Sequence, residues 1–366
     1  MAKRKSKERV QDENSDQETI PARYSITAYG ADYPVDGLVK RLRSNDILIP
    51  TFDPDVSVDE DHRGFQRQFI WTKTQCDRFI DSLLLGFPVP GIFLVKRDDG
   101  KLLVLDGQQR LRTLLAFYSG TLRNEPYQLE KVQVRYLGKT YESLDTEDRR
   151  RLDDSIIHAT IVRQDEPSDD QSSIYLIFER LNTGGTALQP QEIRVALHRE
   201  GLISLIRDLN DLASWRKLYG RKSPRLKDQE LILRFFAMLF WSGNYERPMK
   251  DFLNRYLDKN EHFKLQKSDD LKSIFTNTSK TISSCLGARA LRLKNAINAA
   301  VLDSVMVGVA SRLIAKESEP TKAKLKAAHS ALLANESFLG AVTRATADEE
   351  SVKTRLRLAK QAFAKT

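Results

Sequence analysis

The segment Leu102 to Gly120, LLVLDGQQRLRTLLAFYSG, holds the residues best placed to do chemistry. An apolar run, LLVL, meets Asp106-Gly107, and Gln108-Gln109-Arg110 open what reads as a helix. A glycine turn feeding a helix N-terminus exposes unpaired backbone N–H groups, and the helix dipole draws negative charge to them. Arg110 adds a bidentate donor suited to phosphate, and Asp106 a carboxylate suited to Mg2+ or to service as a base. The same string also fits an ordinary strand-to-helix turn with Asp106 as cap and Arg110 in solvent. Two glutamines ahead of the arginine favour the ligand-facing reading, because three polar side chains then share one helical turn.

Three further segments offer candidate contacts. In FQRQFIW, Phe65 to Trp71, the aromatic residues read as core, and Arg67 either faces ligand beside the glycine turn or makes a structural ion pair. Asn182-Thr183-Gly184-Gly185 follows an apolar helix; the glycines fit a helix C-cap, and equally a close backbone approach to a phosphate or base. Glu192 and Arg194 open the next helix, as site residues or as an internal salt bridge. In WRKLYGRKSPRLK, residues 215–227, Arg216, Lys217, Arg221 and Lys222 suggest a face for nucleic acid. The interleaved Trp215 and Tyr219 read better as core.

The elements that must position these residues follow from periodicity. Residues 1–20 are polar and read as a disordered tail. YSITAYGADYPV suggests a short strand or arm, VDGLVKRLR a helix, and Ile47–Ile49 a strand. Pro50 to Arg63 is an acidic loop. Cys76, Phe79, Ile80, Leu83 and Leu84 recur at helical spacing over 73–85, and GFPVP ends that helix. GIFLVKRDDGKLLVLDG predicts a hairpin about Asp98-Asp99-Gly100. VQVRYLG and SIIHATIVRQ read as strands, with DTEDRRRLDDS a charged helix between them. DDQSSIYLIFERLNT reads as a helix capped by Asp170. From Gln189 the pattern is helical, with Trp215, Leu231, Phe235, Phe236, Leu239, Phe252, Leu253 and Tyr256 as core and longer helices over 270–315 and 321–362. The boundaries expected are a domain over 21–200 and a helical domain over 201–366.

Composition narrows the class. The 366 residues are enough for two cored domains, and a net charge of +9 favours a polyanionic partner. Two cysteines, with no cysteine or histidine at zinc spacing, argue against a zinc site or a disulfide framework. The basic start MAKRKSKER lacks a following apolar region, and no apolar run reaches membrane length, so a cytoplasmic protein is expected.

In their order and spacing, FQR…W, SLLLGFPVPGIFL, DGQQRL and IFERLNTGGTALQPQEIR resemble the N-terminal domain of GmrSD-type restriction systems, within the wider ParB/sulfiredoxin-like group. The resemblance spans roughly Ile47 to Leu197. It implies an α+β fold, a small mixed-sheet domain of that group followed by helices. It implies a nucleotide-binding, NTP-hydrolysing, DNA-sensing component of a prokaryotic restriction or phage-defence system. The cofactors implied are a nucleoside triphosphate and Mg2+, with Gly107, Arg67 and residues 182–185 cradling phosphate. Arg110 would stabilise transferred charge, Asp106 would hold Mg2+ or water, and Gln108 or Gln109 would position the attacking water. The partners expected are DNA, modified DNA included, and a separate nuclease subunit; a homo-oligomer stays open. Two alternatives remain: an adaptor that grips a DNA phosphate at the turn, and a metal-dependent nuclease using Asp106. The five histidines are scattered with no HNH-like pair, so efficient cleavage by this chain alone is not expected.

Overall fold

The computed structural model describes residues 25–50, 71–97, 99–166, 172–181, 189–198, 200–315 and 320–366. Among these, 25–181 with 192–197 make one compact unit, and 189–191 with 198–366 a second.

The first unit runs β1 (Ser25–Pro34), α1 (Val35–Arg43), β2 (Ile47–Leu48), α2 (Lys73–Leu84), β3 (Ile92–Lys96), β4 (Leu102–Asp106), α3 (Gln108–Tyr118), β5 (Thr121–Leu122), β6 (Glu125–Pro126), α4 (Thr146–Asp153), β7 (Ile156–Glu166), α5 (Ser172–Leu181) and α6 (Pro190–Leu197). Five strands form a mixed sheet in the order β1-β7-β3-β4-β2. The β1/β7 and β3/β4 pairs are antiparallel, and the β7/β3 and β4/β2 pairs parallel. The expected arm is thus a ten-residue edge strand, held by β7 along its whole length.

Strand side chains alternate between faces, so a strand buried on both sides reads as a continuous apolar run. LLVL of β4 is such a run. Leu102 and Val104 join a core with α1–α4, including Leu38, Ile80, Leu111 and Leu114. Leu103 and Leu105 join a second core with Tyr175, Phe178, Ile193 and Ala196 of α5 and α6. The architecture is α+β, a mixed sheet followed by helices, as the sequence implies.

VQVRYLG is not a strand. Residues 134–136 form a 3-10 turn, with Tyr136 N donating to Gln133 O at 2.9 Å. The loop closes on itself through Leu129 N to Lys139 O (2.9 Å) and Gly138 N to Leu129 O (2.7 Å), which leaves Val134 88% exposed. Its alternation reflects one buried tyrosine rather than a pleat.

The second unit is helical: α7 (Leu202–Asn210), α8 (Ala213–Tyr219), α9 (Lys227–Phe240), α10 (Met249–Asn260), α11 (Ser268–Cys285), α12 (Ala299–Ala315), α13 (Lys322–Ala334), α14 (Glu336–Thr343) and α15 (Glu349–Ala364). The two long helices expected are interrupted. Gly287, at φ +89°, follows the end of α11, and Asn335 ends α13 and caps α14 by accepting from Phe338 N at 2.9 Å. The expected core is buried except Leu239, which is half-exposed. α12 is apolar nearly all round and sits inside the unit. A Cβ on its Gly308 would lie 2.6 Å from Phe363 Cδ2 and 2.9 Å from Ala359 O, so glycine lets α15 pack directly against α12. Among the described residues, no helix is long and apolar enough to cross a membrane.

Candidate functional site

Two cores fix β4, and β4 delivers Asp106 at its end. Gly107 then turns the chain with φ +96°, the left-handed region that disfavours side chains. A Cβ there would also overlap Ile92 Cγ2 on β3. The turn therefore needs glycine for two independent reasons, its own backbone angle and the neighbouring strand.

α3 begins at once. Leu111, Leu114 and Phe117 are fully buried and hold its back to the core. Its N-terminus differs from those of α2 and α4, though α1 also lacks a side-chain cap. α2 is closed by a capping box between Thr72 and Gln75, and α4 by Asp145 accepting from Asp148 N. Gly107 offers no side-chain cap, and the first turn of α3 holds no carboxylate. Neither the N-cap residue nor the first turn of α3 thus supplies a side-chain anion to the positive end of the helix dipole.

The first-turn side chains are half-buried and differ in what they touch. Arg110 Nη2 bonds Asp106 Oδ2 at 2.7 Å, and its Nη1 donates to Pro90 O at 3.2 Å. The guanidinium side chain is 12% exposed and the carboxylate 42%. The proline-rich loop that ends α2 thus supplies a carbonyl that orients Arg110, a role its sequence did not announce.

Gln109 Oε1 accepts from Trp71 N at 3.2 Å, and Gln109 O accepts from Thr113 Oγ1 at 2.8 Å. Trp71 packs edge-on to Phe79 with ring centroids 5.7 Å apart. Its carbonyl accepts from Arg123 Nη2 at 2.7 Å. Arg123 and Asn124 link β5 to β6 with φ of 54° and 68°. Arg123 was missed by sequence reasoning; only the short TLRNEP turn hinted that a side chain was being aimed there. Arg112, also in the motif, is 1% exposed and donates through Nη2 to Pro50 O at 3.1 Å, a packing role behind the turn.

Asp106, Gly107, Gln108, Gln109 and Arg110 are therefore brought together in one turn. Arg67, Asn182, Thr183, Gly184 and Gly185, along with the acidic loop after Pro50, lie outside the described residues. Glu192 and Arg194 are both buried on α6. Among the described residues, no three His, Cys, Asp or Glu side chains gather as a metal cluster.

The basic candidates belong to the helical unit. Arg216 is engaged internally: its Nη1 bonds Asp228 Oδ2 at 3.0 Å, its Nη2 bonds Asn210 Oδ1 at 2.7 Å, and its guanidinium carbon stands 5.3 Å from the Tyr219 ring centre. Lys222 pairs with Asp211 at 2.7 Å. Lys217 and Arg221 are exposed, whereas Trp215 and Tyr219 are buried.

Residues 40–199 match the family described as GmrSD restriction endonuclease, N-terminal domain. Among curated proteins, none matches the chain.

Proposed function

From the premise that residues 40–199 are a domain of the GmrSD restriction endonuclease N-terminal family, we propose that the chain is the nucleotide-dependent, DNA-sensing component of a restriction or phage-defence system. The observation that carries this reading is the uncapped N-terminus of α3 behind Gly107, with Arg110 oriented beside it. Anions favour such a terminus, and a nucleoside triphosphate is the anion that the family resemblance implies.

The residues divide the work as follows. The backbone N–H groups of Gln108 and Gln109 receive phosphate oxygens. Arg110, held by Pro90 O and Asp106, is preset to neutralise charge that grows on the transferred phosphoryl group. Gln109 has its side-chain oxygen committed to Trp71. The role of orienting the attacking water therefore passes to Gln108. Mg2+ ordinarily binds one or two carboxylates together with substrate phosphates and waters. Among the described residues, Asp106 would be the carboxylate at the turn to hold the ion, with its Oδ2 also serving Arg110. When bound, the ion would supply charge neutralisation at the phosphates.

The test is phosphate release by the purified chain with each common ribonucleoside triphosphate and Mg2+, with and without DNA. Turnover above background supports the reading. Tight DNA binding with no turnover on any nucleotide would favour the adaptor alternative, in which the same turn holds a DNA phosphate.

A further inference from the structure

The geometry points to a second anion site in the helical unit: a face for the phosphodiester backbone of duplex DNA, made by the C-terminal end of α8 and the loop between α11 and α12. It is independent of the nucleotide reading and lies outside the family match, which ends at residue 199.

The loop is built onto α8 by one side chain. Arg292 Nη2 donates to Leu218 O at 3.1 Å and Tyr219 O at 2.9 Å, the last carbonyls of α8, and its Nη1 donates to Asn295 O at 2.9 Å. Arg289 Nη2 donates to Lys294 O at 3.3 Å and Asn295 Oδ1 at 3.5 Å, folding the loop back on itself. His329 of α13 stands 2.9 Å from Ala290 O through Nε2, a further contact that holds the loop. The loop is thus ordered by its own bonds rather than waiting for a ligand to shape it.

This docking sets Arg289 and Lys294, both exposed, beside the exposed Lys217 and Arg221 that flank Leu218 and Tyr219. Residues 280–298 carry Lys280, Arg289, Arg292 and Lys294 and no carboxylate. Asp211, which follows α7, is matched by Lys222 at 2.7 Å. The patch therefore keeps a positive excess from residues some 70 positions apart in sequence, a juxtaposition that only the fold creates.

The choice of duplex over single strand rests on the aromatics. Single-strand sites stack bases on exposed rings. Trp215 and Tyr219 are buried, and Trp215 packs on Phe275 with centroids 5.6 Å apart, so neither offers a ring face to a base. No aromatic residue occurs in 280–298. Lysines, arginines and the exposed amide of Asn295 suit phosphate oxygens, which set position without reading sequence.

The experiment is anisotropy of a short fluorescent DNA duplex against the full chain over a range of salt. The variant carries Lys217→Gln, Arg221→Gln, Arg289→Gln and Lys294→Gln. The control carries Lys264→Gln, Lys267→Gln, Lys272→Gln and Lys353→Gln, with the first three around the opposite end of α11. Each lost phosphate contact lowers the slope of log affinity against log salt by roughly 0.9, so the four-residue variant should lose up to about 3.6 and the control almost nothing. Both proteins should keep the wild-type unfolding temperature and nucleotide response, which separates failure here from failure of the nucleotide site. Equal slopes in variant and wild type, equal loss in the control, no duplex binding by wild type, or displacement of duplex by poly-glutamate at matched charge would each overturn the inference. A single strand bound more tightly than the duplex would overturn the duplex assignment.

Discussion

Arg110 and Asp106 stand on either side of the Gly107 turn, with Arg110 Nη2 2.7 Å from Asp106 Oδ2 while Arg110 Nη1 reaches Pro90 O at 3.2 Å. One guanidinium thus spans two acceptors from different elements. A lysine ammonium has a single nitrogen and cannot hold that span. Arg110→Lys should therefore lose most of the nucleotide affinity that Arg110→Ala loses, despite keeping the charge. Titration of both variants with the same triphosphate checks this; near wild-type affinity in Arg110→Lys would mean that charge alone matters.

Gly107→Ala should destabilise the first unit by about 2–4 kcal/mol, from roughly 1–2 for the left-handed backbone and the rest for overlap with Ile92. Urea unfolding of the single variants and of Gly107→Ala/Ile92→Ala tests the cause. The double variant should cost less than the sum of the singles, because Ile92→Ala removes the overlapping methyl. Strict additivity would exclude Ile92 as the reason.

In the helical unit, Asp303 sits fully buried on α12 between Arg234 of α9 (2.8 Å) and Arg355 of α15 (3.0 Å). Asp303→Asn removes the carboxylate that both buried cations share, and removing one partner of such a pair costs about 3–5 kcal/mol. A fall of that size in the unfolding free energy from urea titration is expected. Replacing all three by Met, Leu and Met should recover much of it, since the burden is uncompensated charge rather than lost packing.

His198 supplies a pH signature. It is buried with Nε2 3.2 Å from Asp258 Oδ1 and Nδ1 3.0 Å from Glu261 Oε1. Burial by itself lowers an imidazole pKa, but the two carboxylates outweigh it and push His198 up to about 9 from an ordinary 6.5. The folded state therefore binds the proton more tightly than the unfolded chain. Its contribution, on the order of 3 kcal/mol, is fully present below pH 6.5 and is lost as pH rises through 9. Wild-type unfolding temperature should fall between those limits, and His198→Gln should fall less. Parallel curves would remove the imidazolium from the account.

Much of the first unit was legible because its signals are local. LLVL, Asp106-Gly107 and the helical spacing after Gln108 lie within one stretch of chain, so periodicity alone places the turn. The GFPVP stop and the hairpin about Gly100 were equally local. What was hidden depends on distant pairing. Pro90 O on Arg110 joins residues 20 apart, and Arg123 on Trp71 joins residues 52 apart. Arg216 read as part of a nucleic-acid face, and its internal bonds were hidden because its partners, Asn210 and Asp228, lie on the elements before and after α8. VQVRYLG misled because a 3-10 turn with one buried tyrosine mimics strand alternation over so short a span.

The central claim is that the Gly107 turn holds a triphosphate through Arg110, and calorimetric titration tests it most directly. Wild-type chain with Mg2+ should release or absorb heat with at least one of the four common ribonucleoside triphosphates. Folded Arg110→Ala should bind the same nucleotide at least tenfold more weakly, the size expected when a charged hydrogen bond worth about 1.5–3 kcal/mol is removed. Equal affinity in wild type and Arg110→Ala, or no heat from any of the four with wild type, would contradict the account.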